Sequence, residues 1–329
     1  MLKKLTGVIV VLAIVVGFWA SVALAQEQYV LRFNHVLAPG HPYHEGLQKW
    51  AERVYERTNG GLKIEVFHSA QLGVEEDIIE QIRQGVPVGQ NTDAARLGNY
   101  VPEIAVINGP YFVESIEEVQ KLHESPSIQE WIDKLDKEYG LKVLSFNWVQ
   151  GYRHFMTKDK EVRTPEDLKG LRIRTAPAPI WQESVRALGA TPVALNFDEM
   201  YTALQQGAID GAELVYDNVT SGNLYEVLNY ISETRHFLLV NFEVISSKWF
   251  YSLPEEYQKI LVEECDRAGL ETSYLIEENT EKTKEIIREK GVTIIEDVDL
   301  EAFKKAGEAA YEVLGISEAK EKVYQEIGK

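Results

Sequence analysis

Apolar and polar residues alternate along Tyr29 to Asn34 (YVLRFN) and again along Leu62 to Phe67 (LKIEVF), the period of a half-buried strand. Between them, Tyr43 to Arg57 carries apolar residues at helical spacing. Asn59-Gly60-Gly61 stops that helix, because glycine accepts the left-handed conformation of a C-cap. Helical spacing returns over Val74 to Gln84, with Ile78, Ile79 and Ile82 on one face. The pattern then predicts a strand over Ile104–Ile107, a helical stretch over Ser115–Lys137 and a strand over Leu141–Trp148. Strands over Leu171–Arg174 and Pro192–Leu195 follow, alternating with helices over Ile180–Leu188 and Asp198–Gln205. Two long helical patterns with few breakers, Pro254–Lys290 and Leu300–Ile327, come last. Such βα alternation predicts α/β domains with largely parallel sheets. There is no repeat and no Gly/Ser tether, so two domains would be joined by elements that cross between them, which suits hinge closure around a ligand.

The one sharp break in this pattern comes first. Met1-Leu2-Lys3-Lys4 is a short basic segment, Val8 to Trp19 is apolar but for Gly17, and Ala23-Leu24-Ala25 offers small residues ahead of Gln26. This is the layout of a secretory signal peptide cleaved after Ala25, with an uncleaved membrane anchor as the alternative. No cysteine follows the apolar run, which argues against a lipid anchor. The expectation is an exported, periplasmic protein.

Composition narrows the classes. The chain of 329 residues sets 34 Lys+Arg against 52 Asp+Glu, a net charge of −18. That balance argues against nucleic-acid binding and against adhesion to anionic lipid, since both need a basic surface. The single cysteine, Cys265, can form no internal disulfide and no thiolate cage. There is no G-x-S-x-G elbow, no phosphate-cradling glycine loop and no H-E-x-x-H helix, which lowers the odds of an enzyme. His35, His41 and His44 crowd together, but their spacing matches no standard metal pattern, and Pro39-Gly40 with Pro42 makes the segment a turn. The acidic runs Glu75-Glu76-Asp77 and Glu277-Glu278 read as solvated helix faces.

The informative stretch is Gln150 to Asn218. Thr164-Pro165-Glu166-Asp167 has the form of a capped helix start. Gly170 then leads into Leu171-Arg172-Ile173-Arg174, where alternation puts the arginines on the face opposite Leu171 and Ile173. Arg174 falls at the carboxyl end of that strand, where open α/β sheets place ligands, and a guanidinium there can hold a carboxylate through two parallel hydrogen bonds. Spacing alone also allows a structurally paired or solvated arginine.

The block LKGLRIR…GATPV…FDEMYTALQQGAIDGAE closely resembles the extracytoplasmic solute receptors of TRAP transporters, the DctP-type periplasmic binding proteins. The likeness extends to LRFNHV…HPYHEGLQKWAERV, GLKIEVFHSAQLG and SLPEEYQKILVEE. It implies a two-lobed α/β fold of the class II periplasmic-binding-protein type with a long helix spanning both lobes. The lobes would comprise 26–150 with about 239–278, and 151–238 with about 279–306, followed by a C-terminal helix at 307–329. The implied function is capture of a small organic acid in the cleft and delivery to the small and large membrane subunits of a TRAP importer, without catalysis. The alternatives are a ligand-sensing module for a signalling receptor and an exported enzyme acting on organic acids. Whether the protein is a monomer or a dimer stays open.

The resemblance also implies site residues. Arg174 takes the position of the carboxylate-clamping arginine, and Arg153 in GYR that of a second one. A subgroup that bridges its ligand with a metal has glutamine at that second position, so arginine implies a site without metal or other cofactor. Phe197 matches an aromatic residue that packs on the ligand, and Asp93 and Arg96 a polar pair reaching into the cleft. Glu75, His35 and Trp148 lie at positions that face or wall it. Asparagines of the sialic-acid receptors are replaced by Val36 and Pro177, and Leu214 stands where many members carry Asn or Trp. Buried hydroxyls facing them would go unpaired, at roughly 1–3 kcal/mol each. The expected ligand is therefore a mono- or dicarboxylate less polar than a sugar acid.

Overall fold

The structure, a computed structural model, describes residues 28–329; the expected signal peptide and its cleavage site lie outside them. The first strand, β1 (Tyr29–Asn34), pairs in parallel with β2 (Leu62–Phe67) and β3 (Val88–Asp93). Helix α1 (Pro42–Arg57) makes the first crossover. His41 is its N-cap, accepting a hydrogen bond from the Tyr43 amide, and Pro42 occupies the first turn. Helix α2 (Glu75–Arg83) makes the second crossover and buries Ile78, Ile79 and Ile82, the face anticipated from spacing.

Two strands of 17 residues organise everything else: β4 (Leu141–Thr157) and β8 (Tyr230–Ser246). They pair with each other antiparallel. The carboxyl half of β8 joins β3, while the carboxyl end of β4 joins β7 (Gly211–Leu214). Strands β5 (Arg172–Thr175) and β6 (Thr191–Ala194) continue the sheet beyond β7 in parallel, and β9 (Thr293–Ile295) pairs with the start of β8. Among the described residues one sheet, ordered β2-β1-β3-β8-β4-β7-β5-β6 with β9 as a ninth strand off this path, therefore runs through both halves, and β4 and β8 belong to both. Their pairing slips at several points between Val143 and Phe155. Gly151 (φ +94°) and Arg235 (φ +46°) take left-handed conformations inside these strands, which bends the sheet where the halves meet.

The remaining helices cover the sheet. Short α3 (Ala94–Leu97), α4 (Ile116–Leu122) and α5 (Pro126–Tyr139) serve the first half, and α6 (Pro179–Ala187), α7 (Met200–Gln205) and α8 (Tyr216–Ser221) the second. After the short α9 (Ser247–Phe250), α10 (Glu255–Glu289) runs for 35 residues, roughly 50 Å. Its first turns pack Tyr257, Ile260, Leu261 and Cys265 with α1 against the β1–β2 side, and Ile287 near its end enters the core of the second half. The fold is thus a two-lobed α/β structure with a long helix over both lobes. Helices α11 (Leu300–Leu314) and α12 (Ser317–Ile327) finish the chain; Phe303 packs in the second half and Tyr311 and Val323 in the first.

Several local expectations are corrected. Ile104–Ile107 lies in a 3-10 helix, Pro102–Asn108, because the run begins on a proline that lacks a strand donor. The Ser115–Lys137 stretch breaks at Ser125-Pro126, where Ser125 caps a new helix. Leu300–Ile327 breaks at Gly315 (φ +67°), so the boundary placed at residue 307 falls inside α11. The central pairing is antiparallel, and β3, β7 and β8 were not anticipated: their runs are buried on both faces and do not alternate.

Candidate functional site

Where the two halves meet, a narrow cavity of about 40 Å³ opens on one face of β4 and β8. Its lining includes Glu75, Asp93, Arg96, Arg153, Arg174 and Phe197, so six of the ten expected site residues stand together. They come from separate elements: Glu75 from the start of α2, Asp93 from the end of β3, Arg96 from α3, Arg153 from β4 and Arg174 from β5. Arg174 is the penultimate residue of its strand, next to the chain reversal into α6.

Three buried guanidiniums share this space, and their partners differ. Arg96 Nε bonds Glu76 at 2.8 Å, and its Nη1 pairs with Asp93 and lies 3.4 Å from Glu75. Asp93 also caps α3, accepting from the Arg96 amide at 2.8 Å. Arg153 pairs with Glu213 and donates to the Glu213 carbonyl at 2.6 Å. Burial would raise the Glu213 carboxyl, but Arg153 and His236 overcome it and hold it near 2. Arg174 is 2% exposed and gives Nε to the Leu195 carbonyl at 3.0 Å. Among the described residues no carboxylate forms an ion pair with it. Burial, opposed by Glu213 and assisted by Arg153 and Arg96, lowers its pKa to about 10, so it stays charged at neutral pH.

Aromatic rings stiffen the cations. Trp181 lies 4.8 Å from the Arg153 guanidinium carbon and 5.6 Å from that of Arg96, and Phe197 lies 5.9 Å from that of Arg174. Burial pushes the Glu75 carboxyl up to about 8, against the pull of Arg96, so near neutrality it is mostly protonated.

Four expected residues stand elsewhere. Leu214 is fully buried among Met156, Met200 and Leu204; alternation along β7 turns Glu213 toward Arg153 and Leu214 away. Trp148 is buried between α1 and α10, edge-on to the Tyr43 ring. His35 is buried below the first turn, 3.0 Å from His44. Pro177 is half-buried and outside the lining. Of Val36, Pro177 and Leu214 only Val36 borders the cavity, and the contrast with a sugar-acid site rested on all three.

The polar groups that do line it had not been singled out: Asn91, Gln150, Asn218 and Asn241. Asn241 is a lone amide within the apolar run FLLVNFEVI, and Asn91 sits in the buried polar strand VGQNTD. A polar residue inside a buried strand is a signal that could have found both. Gln150 donates to Asn241 at 2.9 Å, Asn241 to the Thr92 carbonyl at 2.8 Å, and Asn91 to Glu243 at 2.6 Å.

Residues 33–318 match the bacterial extracellular solute-binding proteins of family 7, DctP. The chain belongs to that family. It is a DctP-type receptor of the TRAP class, and its family is one of extracytoplasmic substrate-binding proteins. The chain is 30% identical over 276 residues to the 2,3-diketo-L-gulonate-binding periplasmic protein of Escherichia coli K12, covering 84% of each. A TRAP periplasmic solute-binding protein from Ochrobacterium anthropi with bound L-fuconate superposes with a TM-score of 0.87 at 30% identity, over 91% of this chain and 99% of that one. Another, from Fusobacterium nucleatum with bound sn-glycerol-3-phosphate, gives 0.84 at 31% identity, over 92% and 100%. Among the described residues no helix of this DctP receptor is long and apolar enough to cross a membrane.

Proposed function

We propose that this receptor captures a small polar carboxylate between its lobes, anchored by Arg174, and presents it outside the cytoplasmic membrane to a TRAP-type importer. The observation that carries the reading is the buried Arg174 guanidinium, which has no counter-ion among the described residues. A buried cation left unpaired is costly, and an anionic ligand arriving in the cavity removes that cost through a bidentate contact. Arg96 and Arg153 have carboxylate partners and hold the walls in place. The relatives' ligands, L-fuconate, 2,3-diketo-L-gulonate and glycerol phosphate, are all small anions rich in oxygen. The amides around the cavity fit that polarity better than a plain aliphatic or aromatic acid, because an apolar ligand would bury Asn91 and Asn218 against carbon.

The lobes divide, on this reading, at Gly151 in β4 and near Leu238 in β8, with the C-terminal segment beginning at Gly315. Left-handed backbone at Gly151 and Arg235 supports that placement. The test is calorimetric titration with a panel of organic acids, for the natural chain and for Arg174→Ala. Binding that disappears with the arginine is the expected result. An acid held with unchanged affinity by the variant overturns the anchor.

A further inference from the structure

Asn218 lies on α8, which stands between two cavities. Its neighbours Tyr216 and Asp217 border the one behind β4 and β8, while Asn218 lines the one that holds Arg174. Asn218 is 2% exposed, and its Nδ2 has no hydrogen-bond partner among the described residues. The other amides of the lining have theirs: Asn91 with Glu243, Gln150 with Asn241, Asn241 with Thr92. A buried amide donor left idle is destabilising, so such a group points to an acceptor that arrives from outside.

The charges of the cavity limit what that acceptor can be. Arg96 is matched by Asp93 and Glu76, and Arg153 by Glu213, which leaves Arg174 as the cation of this lining that has no carboxylate among the described residues. A second carboxylate on the ligand would find no free cation among the described residues, and it would share the cavity with Asp93. The acceptor for Asn218 is then a neutral oxygen.

We propose that Asn218 is a specificity-determining residue that donates to a hydroxyl or oxo oxygen of the ligand, which makes the ligand class an oxygenated monocarboxylate. The inference rests on the reading of Arg174 as carboxylate anchor, and two variants separate them. Titrations pair lactate with propionate, glycerate with propionate, and malate with succinate. The natural chain is expected to favour the oxygenated monocarboxylate of a pair by about tenfold or more and to bind both dicarboxylates more weakly. Asn218→Leu, and the isosteric Asn218→Asp should leucine disturb packing, is expected to erase that preference while keeping the melting temperature within a few degrees. Arg174→Ala abolishes binding of both members of each pair. A preference that survives in a folded Asn218→Leu and in Asn218→Asp overturns the role of Asn218 and leaves the anchor standing. Tighter binding of succinate or malate than of lactate or glycerate overturns the monocarboxylate class.

Discussion

Two cavities lie back to back across β4 and β8, and they differ in what their buried charges lack. Alternation along the strands divides them: Arg153, Leu239 and Asn241 line the front cavity, while Tyr152, His154 and Leu238 line the back one. The back cavity is much the larger, about 280 Å³ against about 40 Å³. Its buried cation, Lys284, is matched from within. Lys284 of α10 bonds Glu233 of β8 at 2.6 Å and reaches Glu296 at 3.2 Å, and Tyr216 donates to Glu233 at 2.7 Å. Burial works to raise Glu233, yet Lys284 and Tyr216 hold its carboxyl near 2. The front cavity is small but holds a guanidinium with no carboxylate and an amide with no acceptor among the described residues. Volume would choose the back cavity as the ligand site. Unfinished pairing chooses the front. The back cluster instead ties the long helix to the strands shared by both lobes.

That contrast can be broken most sharply at Arg174. Arg174→Met is expected to lower affinity for a carboxylate ligand by about a hundredfold or more, in line with the loss of a charged, bidentate contact of roughly 3 kcal/mol. In the absence of ligand the same substitution should raise stability by about 1–3 kcal/mol, because it removes a buried, unpaired charge. Calorimetry and urea unfolding of one preparation check both. A variant that binds poorly and also unfolds more easily would mean that Arg174 is part of the scaffold.

Lys284 should behave in the opposite way. Lys284→Met leaves Glu233 with only the half-exposed Arg235 and the Tyr216 hydroxyl, so stability is expected to fall by about 1–3 kcal/mol while ligand affinity stays within about twofold. A large loss of affinity there would show that the back cavity takes part in binding or in closure.

Smaller is the effect expected at the helix contact behind the first lobe. A Cβ on Gly269 would stand 2.6 Å from the Trp148 ring. Gly269→Ala should cost about 1–2 kcal/mol of stability, readable in urea, with affinity unchanged, as fits a tryptophan that packs α10 on the sheet. Reduced affinity without loss of stability would return Trp148 to the site.

Acidity separates the two properties more gently. Burial lowers the pKa of His35, His41 and His154 from the ordinary 6.5 to about 3. The unfolded chain takes up protons below 6.5 and the folded chain does not, so their contribution is complete above 6.5 and is lost as pH falls toward 3. Glu213 and Glu233, held near 2, add a further loss below about 4.5. Glu75 runs the other way: raised to about 8, it favours the folded state below 4.5 and loses that contribution as pH rises to 8. Melting temperature is therefore expected to drop between pH 6.5 and 4, while carboxylate affinity measured on the folded protein holds until the ligand itself protonates. A parallel decline of both would indicate a titrating group in the anchor.

The sequence was legible wherever one local rule decided the outcome. β1, α1, β2 and α2 alternate apolar and polar residues because each has one face in the core, and their limits match the pattern within a residue or two. β8 escaped because FLLVNFEVI is buried on both faces and carries no alternation. The strand expected over Leu141–Trp148 in fact continues to Thr157, bending at Gly151. Motif and register together placed Arg174, Arg153, Asp93, Arg96, Glu75 and Phe197 around one cavity. Leu214, one residue from Glu213, went astray by a single step of alternation.

By itself, then, the amino-acid sequence determined the family, the α/β character, the long helix and the residue that anchors the proposed reading, because these follow from local periodicity and a dense motif. It could not determine which of three arginines is free. Arg174, Arg153 and Arg96 look alike in the chain, and Glu213 and Glu76 lie 60 and 20 residues from the guanidiniums they neutralise. Ion pairing over such separations is settled only when strands take their order in the sheet. Only the tertiary structure could leave a buried cation without a carboxylate among the described residues, and with it an idle amide donor lining the same cavity.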